Sequence, residues 1–171
     1  MEIIDLYDNK KRSLNKTMER LSGEPKYGEY KLSVHVWIMN SKGEFLIQKR
    51  KDELKRHPGK WGFTGGAVSS GEDSLEGAKR ELEEELSIDL DEKKIELLFS
   101  IKRRVDFVDV FLLEDDIDIL SLTLQDEEVE KVEWVSREKI IDLINENQFV
   151  SSVKLYKDLL FKLIDDKKAD M

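Results

Sequence analysis

An acidic segment between residues 66 and 88 carries the side chains with the clearest chemical potential in this chain. Its sequence reads GAVSSGEDSLEGAKRELEEELSI. Three of its glutamates, Glu81, Glu84 and Glu85, are spaced i, i+3 and i+4, so on a helix they project from one side. Such crowding of like charges is unfavourable unless a cation offsets the repulsion. A divalent metal held by carboxylates favours phosphate chemistry, and we therefore expect a metal site here.

The helix that positions these carboxylates is predicted to start near Asp73 or Ser74, because Asp73 and Glu76 have the spacing of a capping box. Gly77 lies within the acidic face of this helix, although glycine costs a helix about 1 kcal/mol. We expect Gly77 to open space for a metal or ligand. The apolar stripe of the helix comprises Leu75, Ala78, Leu82 and Leu86.

Alternating apolar segments predict a sheet around this helix. The expected strands cover residues 33–39, 44–50, 61–63, 95–101, 105–113 and 129–135. Two further helices are expected, one capped by Ser136 and running to about Asn145, the other over residues 153–164. Strands before, between and after helices predict a single α/β domain, an α/β/α sandwich with a mixed sheet. Residues 1–30 form an N-terminal extension with a small extra hairpin.

Composition limits the classes of protein that the chain can represent. With 171 residues, 39% of them hydrophobic and 39% charged, it fits one globular domain. The lack of cysteine excludes disulfides, zinc–thiolate sites and cysteine nucleophiles. A net charge of −9 argues against general nucleic-acid binding, which relies on neutralising phosphates. We find no apolar segment suited to a signal peptide or membrane span, so a cytoplasmic protein is expected.

The acidic segment resembles the box of the Nudix (MutT-like) hydrolase family, G-x5-E-x7-R-E-U-x-E-E-x-G-U, in which U is a bulky aliphatic residue. Ser87 departs from this pattern, because the family usually has a glycine there in the left-handed conformation that ends the helix. Serine should cost about 1 kcal/mol or move the helix end slightly. The matching positions are Gly66, Glu72, Arg80, Glu81, Leu82, Glu84, Glu85 and Ile88.

The resemblance implies a magnesium site, with Mn²⁺ as a substitute. Glu81, Glu84 and Glu85 would hold the metal, and the carbonyl of Gly66 would be a further ligand. A water polarised by the metal and deprotonated by a glutamate would attack phosphorus. Glu84 and Glu85, together with Arg80, are therefore the predicted catalytic residues.

Several acidic and basic residues have roles that the sequence leaves open. Arg80 is expected to pair with a box glutamate and orient it rather than to touch substrate. Glu72 would either hold a metal-bound water or stabilise the junction between loop and helix. The general base is either Glu84 or an acid from the loop before the last strand, namely Asp126, Glu127 or Glu128.

Substrate contacts are predicted on the strands and loops that flank the box. Six cationic residues fall between positions 49 and 60, and they would either grip a phosphate or form a solvated loop. Arg50 is the favoured phosphate ligand among them. Gly65 and Gly77 are further candidates for the substrate site. Phe63 would border a base-stacking pocket or belong to the core.

The N-terminal extension, His35 and the HPGKW sequence at 57–61 resemble the branch related to isopentenyl diphosphate isomerase. That isomerase uses a cysteine just before the box helix, where this chain has Gly65. We therefore predict a Mg²⁺-dependent hydrolase that cleaves a diphosphate linkage in a nucleoside diphosphate or related small molecule. The alternatives are an isomerase-like enzyme, a non-catalytic nucleotide-binding module and an acidic interaction domain. A homodimer is left open.

Overall fold

A seven-stranded mixed sheet lies at the centre of the computed structural model, which describes residues 1–170. The strands are β1 (Ile3–Tyr7), β2 (Ser13–Glu19), β3 (Lys31–Met39), β4 (Phe45–Arg50), β5 (Trp61–Gly62), β6 (Thr64–Ala67), β7 (Ile95–Lys102), β8 (Asp106–Glu114) and β9 (Val129–Val135). The α-helices are α1 (Ser74–Leu86), α2 (Arg137–Asn145) and α3 (Lys157–Ala169). The α/β class with a mixed sheet is as predicted. No helix within residues 1–170 has both the length and the apolar character needed to cross a membrane.

The parallel pair β3–β8 is the axis of the sheet, which runs in the order β5-β4-β3-β8-β7. β6 pairs antiparallel with β3, and β9 pairs antiparallel with β4. Side chains of β3 alternate between two hydrophobic cores, as expected for a strand covered on both faces. Val34 and Val36 pack on the side of α1, whereas Trp37 and Met39 pack on the side of α2 and α3.

Helix α1 has the start that its sequence predicts. Asp73 accepts a hydrogen bond from the backbone of Glu76, and the Glu76 side chain accepts one from the backbone of Asp73, both at 2.8 Å. Ala78, Leu82 and Leu86 are buried against the sheet. The acidic side of the helix is thereby turned towards β6 and the loops around it.

The N-terminal hairpin of β1 and β2 forms a separate two-stranded sheet that packs on the loop before α1. The backbone N–H of Ser70 donates to the carbonyl of Ile3 at 2.8 Å. Asp5 accepts hydrogen bonds from the Ser70 hydroxyl at 2.7 Å and from the Gly71 backbone at 3.0 Å. The hairpin prediction is confirmed, and these contacts bring it beside the acidic segment.

Two expectations about the elements are wrong. The single strand expected at residues 61–63 is replaced by β5 and by β6, which carries Gly65 and Gly66 and depends on backbone pairing with β3. The last helix begins at Lys157 rather than at residue 153, after a 3-10 turn over Ser151–Leu155. Tyr156 interrupts the helix with φ −139°, and its ring is buried beneath the sheet.

Candidate active site

A polar cavity of about 220 Å³ lies where α1, β6, the N-terminal hairpin and the loop before β9 meet. Most of the side chains around it are charged or amide-bearing. The lining residues are Glu2, Arg20, Gly65, Gly66, Ser69, Arg80, Glu81, Glu84, Gln125 and Glu128. The cavity thus joins the box carboxylates to residues that lie far from them in sequence.

The box glutamates differ sharply in their exposure to solvent. Glu81 and Glu85 are only 7% and 3% exposed, whereas Glu84 is exposed. Burial raises the pKa of Glu81, and it raises the pKa of Glu85 well above its ordinary value. The neighbouring charge of Glu81 adds to the effect on Glu85. Two adjacent carboxyl groups in a place that disfavours their negative charge form a site suited to a cation.

Arg80 holds three box carboxylates together. Its Nε and Nη2 donate to the two oxygens of Glu72, at 2.8 and 3.1 Å. Nη1 donates to Glu81 at 2.9 Å and to Glu84 at 3.3 Å, and Nη2 also donates to the carbonyl of Ala67 at 2.9 Å. A guanidinium has five N–H groups, so these five bonds use its donors. Arg80 is placed to orient carboxylates, as the sequence predicts.

Glu72 stands at the junction between the loop and α1. Besides Arg80, it accepts a hydrogen bond from the backbone of Ser69 at 3.0 Å. Its pKa is lowered because Arg80 and this backbone N–H outweigh its burial. Of the two roles left open for Glu72, these contacts support stabilisation of the junction.

The donor set of the cavity fits a hard divalent cation. Its carboxylate and carbonyl oxygens are the ligands that Mg²⁺ prefers. A side chain on Gly66 would collide with the carboxylate of Glu81, so the glycine leaves room for that group. Within residues 1–170 no three acidic or histidine side chains converge on one point, because Glu81 and Glu84 turn to Arg80. A metal ion at this place would have to replace Arg80 as the partner of Glu81 and Glu84.

Glu85 is held from the strand side of the cavity. Its carboxylate accepts a hydrogen bond from the side-chain amide of Gln48 and lies 3.4 Å from the backbone nitrogen of Gly65. Gln48 in turn accepts a bond from the Thr64 hydroxyl at 3.0 Å. This chain of contacts anchors the most buried box glutamate to β4 and β6.

The glycines at 65 and 77 have packing roles. A Cβ on Gly77 would lie 3.1 Å from Val68, and Gly77 does not line the cavity, so the space that it was expected to open for a metal or ligand stays a prediction. The helical wheel could not show this contact, because Val68 reaches α1 from the preceding strand end. Gly65 does line the cavity, but a Cβ there would collide with the carbonyl of Val34.

The acids of the loop before β9 are not equivalent. Glu128 lines the cavity, whereas Asp126 and Glu127 are exposed in the same turn and do not. The carbonyl of Glu128 accepts a hydrogen bond from the backbone of Lys51 at 3.0 Å. Glu128 and Glu84 are therefore the two candidate bases that the structure brings into one cavity.

Arg50 and Phe63 lie outside the cavity lining. Arg50 donates through Nε to the carbonyl of Arg56 at 3.0 Å, within the basic loop. Phe63 packs against His35 and Trp37, with ring centroids 4.5 and 4.9 Å apart. Their proposed substrate contacts stay predictions.

Sequence reasoning missed the residues that the extension and a distant loop supply. Glu2 and Arg20 come from the N-terminal hairpin, and Gln125 comes from the loop before β9. The hairpin itself is readable from the sequence, but no local pattern shows which loop it packs on. For Gln48 a signal existed, since it is a polar residue in an otherwise buried strand.

A family model described as the NUDIX domain matches residues 29–157 of this chain. An uncharacterised Nudix hydrolase of Listeria innocua is 36% identical over 152 residues, covering 88% of this chain and 89% of the relative. Nudix hydrolase 3 of Arabidopsis thaliana is 35% identical over 126 residues, which are 66% of this chain and 16% of that protein.

Three solved structures share the fold of this chain. A Deinococcus radiodurans protein superposes with a TM-score of 0.75 at 23% identity, covering 87% of this chain and 92% of the other. A MutT protein of Methanosarcina mazei superposes with a TM-score of 0.61 at 27% identity, with 81% and 96% covered. The NUDIX domain of Shewanella oneidensis NrtR, crystallised with ADP ribose, has a TM-score of 0.59 at 16% identity, with 85% and 94% covered.

Proposed function

Because the chain belongs to the Nudix hydrolase family, which hydrolyses phosphoric anhydrides, we propose that it cleaves the diphosphate linkage of a nucleoside diphosphate or related compound with Mg²⁺. One observation carries the proposal. Glu81 and Glu85 are buried beside each other, and Glu81 lines a cavity together with Glu84, Gly66 and two arginines. Two adjacent buried carboxylates cost stability unless something compensates their charge, and a bound metal ion would supply that compensation.

Glu81, Glu84, Glu85 and the carbonyl of Gly66 would hold the Mg²⁺. When bound, the ion supplies charge neutralisation at phosphate and lowers the pKa of a coordinated water. This chemistry depends on oxygen ligands, which are what the cavity offers.

The protein's own side chains divide the remaining work. Glu84 or Glu128 accepts the proton of the attacking water, because both carboxylates line the cavity. Arg80 holds Glu72 with two hydrogen bonds, and its hydrogen bonds to Glu81 and Glu84 are the ones that a bound cation would replace. Gln48 keeps Glu85 oriented from the opposite side.

The substrate class follows from the size and polarity of the cavity. A space of about 220 Å³ with a charged lining suits a diphosphate group and leaves the rest of the substrate outside. ADP ribose is bound by the structurally related Shewanella oneidensis domain, and it contains such a diphosphate. Nucleoside diphosphates linked to a further group are therefore the first substrates to test.

A diphosphate isomerase remains the second candidate, because the extension and the residues before the box resemble that branch. The chain has no cysteine, and Gly65 occupies the corresponding position. A strand glycine offers no acid to protonate an alkene. Hydrolysis is favoured on this ground.

The test is a hydrolysis assay with Mg²⁺ and a panel of nucleoside diphosphates, triphosphates, nucleotide sugars, ADP ribose and isopentenyl diphosphate. The release of phosphate and monophosphate is followed over time. We expect Glu85→Gln and Glu84→Gln to lower kcat/KM by roughly 10²–10⁴-fold, since each removes a metal ligand or a base.

Glu83→Gln is the matched control, because Glu83 is an exposed glutamate on the same helix that does not line the cavity. It should retain wild-type turnover. Equal turnover in the Glu85→Gln and Glu83→Gln proteins would contradict the catalytic assignment. Conversion of isopentenyl diphosphate without phosphate release would favour the isomerase.

A further inference from the structure

Two arginines line the cavity, and they differ in the N–H groups that they have free. Arg80 directs all five of its donors at protein acceptors. Arg20 makes one side-chain hydrogen bond among the described residues, from Nη1 to Glu2 at 2.7 Å. Its side chain is 43% exposed. Arg20 therefore faces the cavity with most of its guanidinium unused.

The backbone of Arg20 is fixed by contacts from both sides. Its N–H donates to the carbonyl of Glu2 at 2.9 Å, which closes the end of the hairpin. The ammonium of Lys31, on β3, donates to the carbonyl of Gly23 at 2.8 Å and approaches that of Arg20 at 3.4 Å. The hairpin also packs on Ser70, as described above. Arg20 is thus held beside the box rather than carried on a free terminus.

The charge of Arg20 is balanced across the cavity. Burial opposes its positive charge, but Glu2, Glu81 and Glu128 raise the pKa of the guanidinium overall. Two of these acids belong to the box and to the loop before β9. An anion that entered with a metal ion would therefore meet Arg20, whose guanidinium makes a single hydrogen bond among the described residues.

We propose that Arg20 binds the phosphate that is not attacked, exchanging Glu2 for phosphate oxygens when a diphosphate enters the cavity. A guanidinium pairs with two phosphate oxygens at once, and a single carboxylate contact is readily replaced. The N-terminal hairpin is on this view part of the substrate site. The inference rests on the proposed function for the reaction, but it concerns the binding of a diphosphate group.

The experiment compares Arg20→Gln and Arg20→Lys with Arg12→Gln. Arg12 is the matched control, since it also lies in the hairpin and pairs with a carboxylate, Asp8, at 2.8 Å, yet does not line the cavity. Steady-state kinetics use the best substrate of the panel. Binding of imidodiphosphate, a non-hydrolysable diphosphate, is measured calorimetrically with Mg²⁺ present.

We expect Arg20→Gln to raise KM and the Kd for imidodiphosphate roughly 10- to 100-fold, the range for a lost charge-assisted hydrogen bond. Because a non-reacting phosphate is held alike in the ground and transition states, kcat should change less than about threefold. Arg20→Lys should be intermediate, since lysine keeps the charge without the two-pronged geometry. Arg12→Gln should match wild type, and thermal unfolding checks that every variant is folded.

The outcomes separate this inference from the proposed function. If turnover is present and Arg20→Gln keeps the wild-type KM, or Arg12→Gln raises KM equally, the inference is overturned while the proposed function stands. If no panel compound is hydrolysed but imidodiphosphate binding depends on Arg20, the inference stands and the proposed function fails. A fall in kcat alone, with KM unchanged, also contradicts the proposed role.

Discussion

The two faces of the central sheet treat buried polar groups in opposite ways. On the α1 face, Glu81 and Glu85 lie next to each other, and burial raises the pKa of both because it disfavours their negative charge. On the face covered by α2 and α3, His35 and Trp37 meet the hydroxyl of Tyr156 at 2.8 and 3.1 Å. Those three groups can all be neutral. The first face is built around charge and the second around neutral hydrogen bonds.

This difference indicates which face carries chemistry. Within residues 1–170 every buried side-chain nitrogen and oxygen has a hydrogen-bond partner. The presence of hydrogen bonds therefore does not distinguish the two faces. Crowded like charges do distinguish them, because they cost stability unless a ligand compensates. Neutral pairs such as His35–Tyr156 add to the uniqueness of the core without such a cost.

The largest expected effect is on the pH dependence of folding stability, and it tests the face of the sheet that α2 and α3 cover. Burial lowers the pKa of His35 to about 3, while an unfolded histidine titrates near its ordinary value of 6.5. Between these values the unfolded state binds a proton that the folded state does not. Stability is therefore retained above pH 6.5 and lost as pH falls, by about 1.4 kcal/mol per unit. Urea unfolding at several pH values measures the slope.

The variant His35→Gln should flatten this slope between pH 6.5 and 4.5, whatever its stability at pH 7.5. The chain has one other histidine, His57, which lies in the exposed basic loop at φ 49°. Partial burial and the nearby Arg50, Lys60 and Arg56 also lower the pKa of His57, but less than burial lowers that of His35. His57→Asn tolerates the backbone conformation and should therefore reduce the slope less than His35→Gln does. If His35→Gln kept the wild-type slope, burial of His35 would not be the cause of the loss of stability at low pH.

A smaller effect is expected on the stability of the α1 face in the absence of metal. In EDTA at pH 8, Glu85→Gln should be more stable than wild type by about 1–2 kcal/mol. It removes a carboxyl group whose pKa is raised by burial, and such a group lowers the stability of the folded state above its ordinary pKa. The amide retains an acceptor for Gln48. Urea unfolding measures the gain, and activity is lost in the same variant.

For this comparison Glu83→Gln serves again, since an exposed substitution should shift stability by less than about 0.5 kcal/mol. Added Mg²⁺ should raise the melting temperature of wild type more than that of Glu85→Gln, because binding stabilises the folded state. If Glu85→Gln were less stable than wild type in EDTA, the buried carboxyl groups of the α1 face would not cost stability, and the comparison of the two faces would fail.

The smallest effect lies on the α1 face but outside its charged cluster. Ser87 ends α1 in the left-handed conformation, with φ 58° and ψ 36°, and its hydroxyl donates to the carbonyl of Thr123 at 3.0 Å. Ser87→Gly relieves the backbone cost and loses this bond, so we expect a net gain of about 0.5 kcal/mol.

Ser87→Ala makes the matched comparison, because it loses the hydroxyl and keeps the backbone cost. It should be about 1 kcal/mol less stable than Ser87→Gly. Equal stabilities in urea would show that the helix end relaxes around its residue. Neither variant should change turnover, since Ser87 does not line the cavity.

Much of the fold was predictable because it depends on local patterns. The capping box at Asp73, the apolar stripe of α1 and the strands β3, β4, β7, β8 and β9 follow from spacings of a few residues. Strand β6 was not predictable in this way, since its glycines lack strand preference and it exists through pairing with β3. The start of α3 was misplaced because the burial of Tyr156 is a long-range contact.

By itself the sequence determined the acidic side of α1, because the helical spacing of Glu81, Glu84 and Glu85 places them together whatever surrounds them. Only the tertiary structure decided which carboxylates are buried and which cation faces them. The basic loop had the charge expected of a phosphate site, yet Arg20 of the N-terminal hairpin lines the cavity and Arg50 does not. The physical reason is that burial and apposition arise from elements far apart in sequence, which no local pattern records.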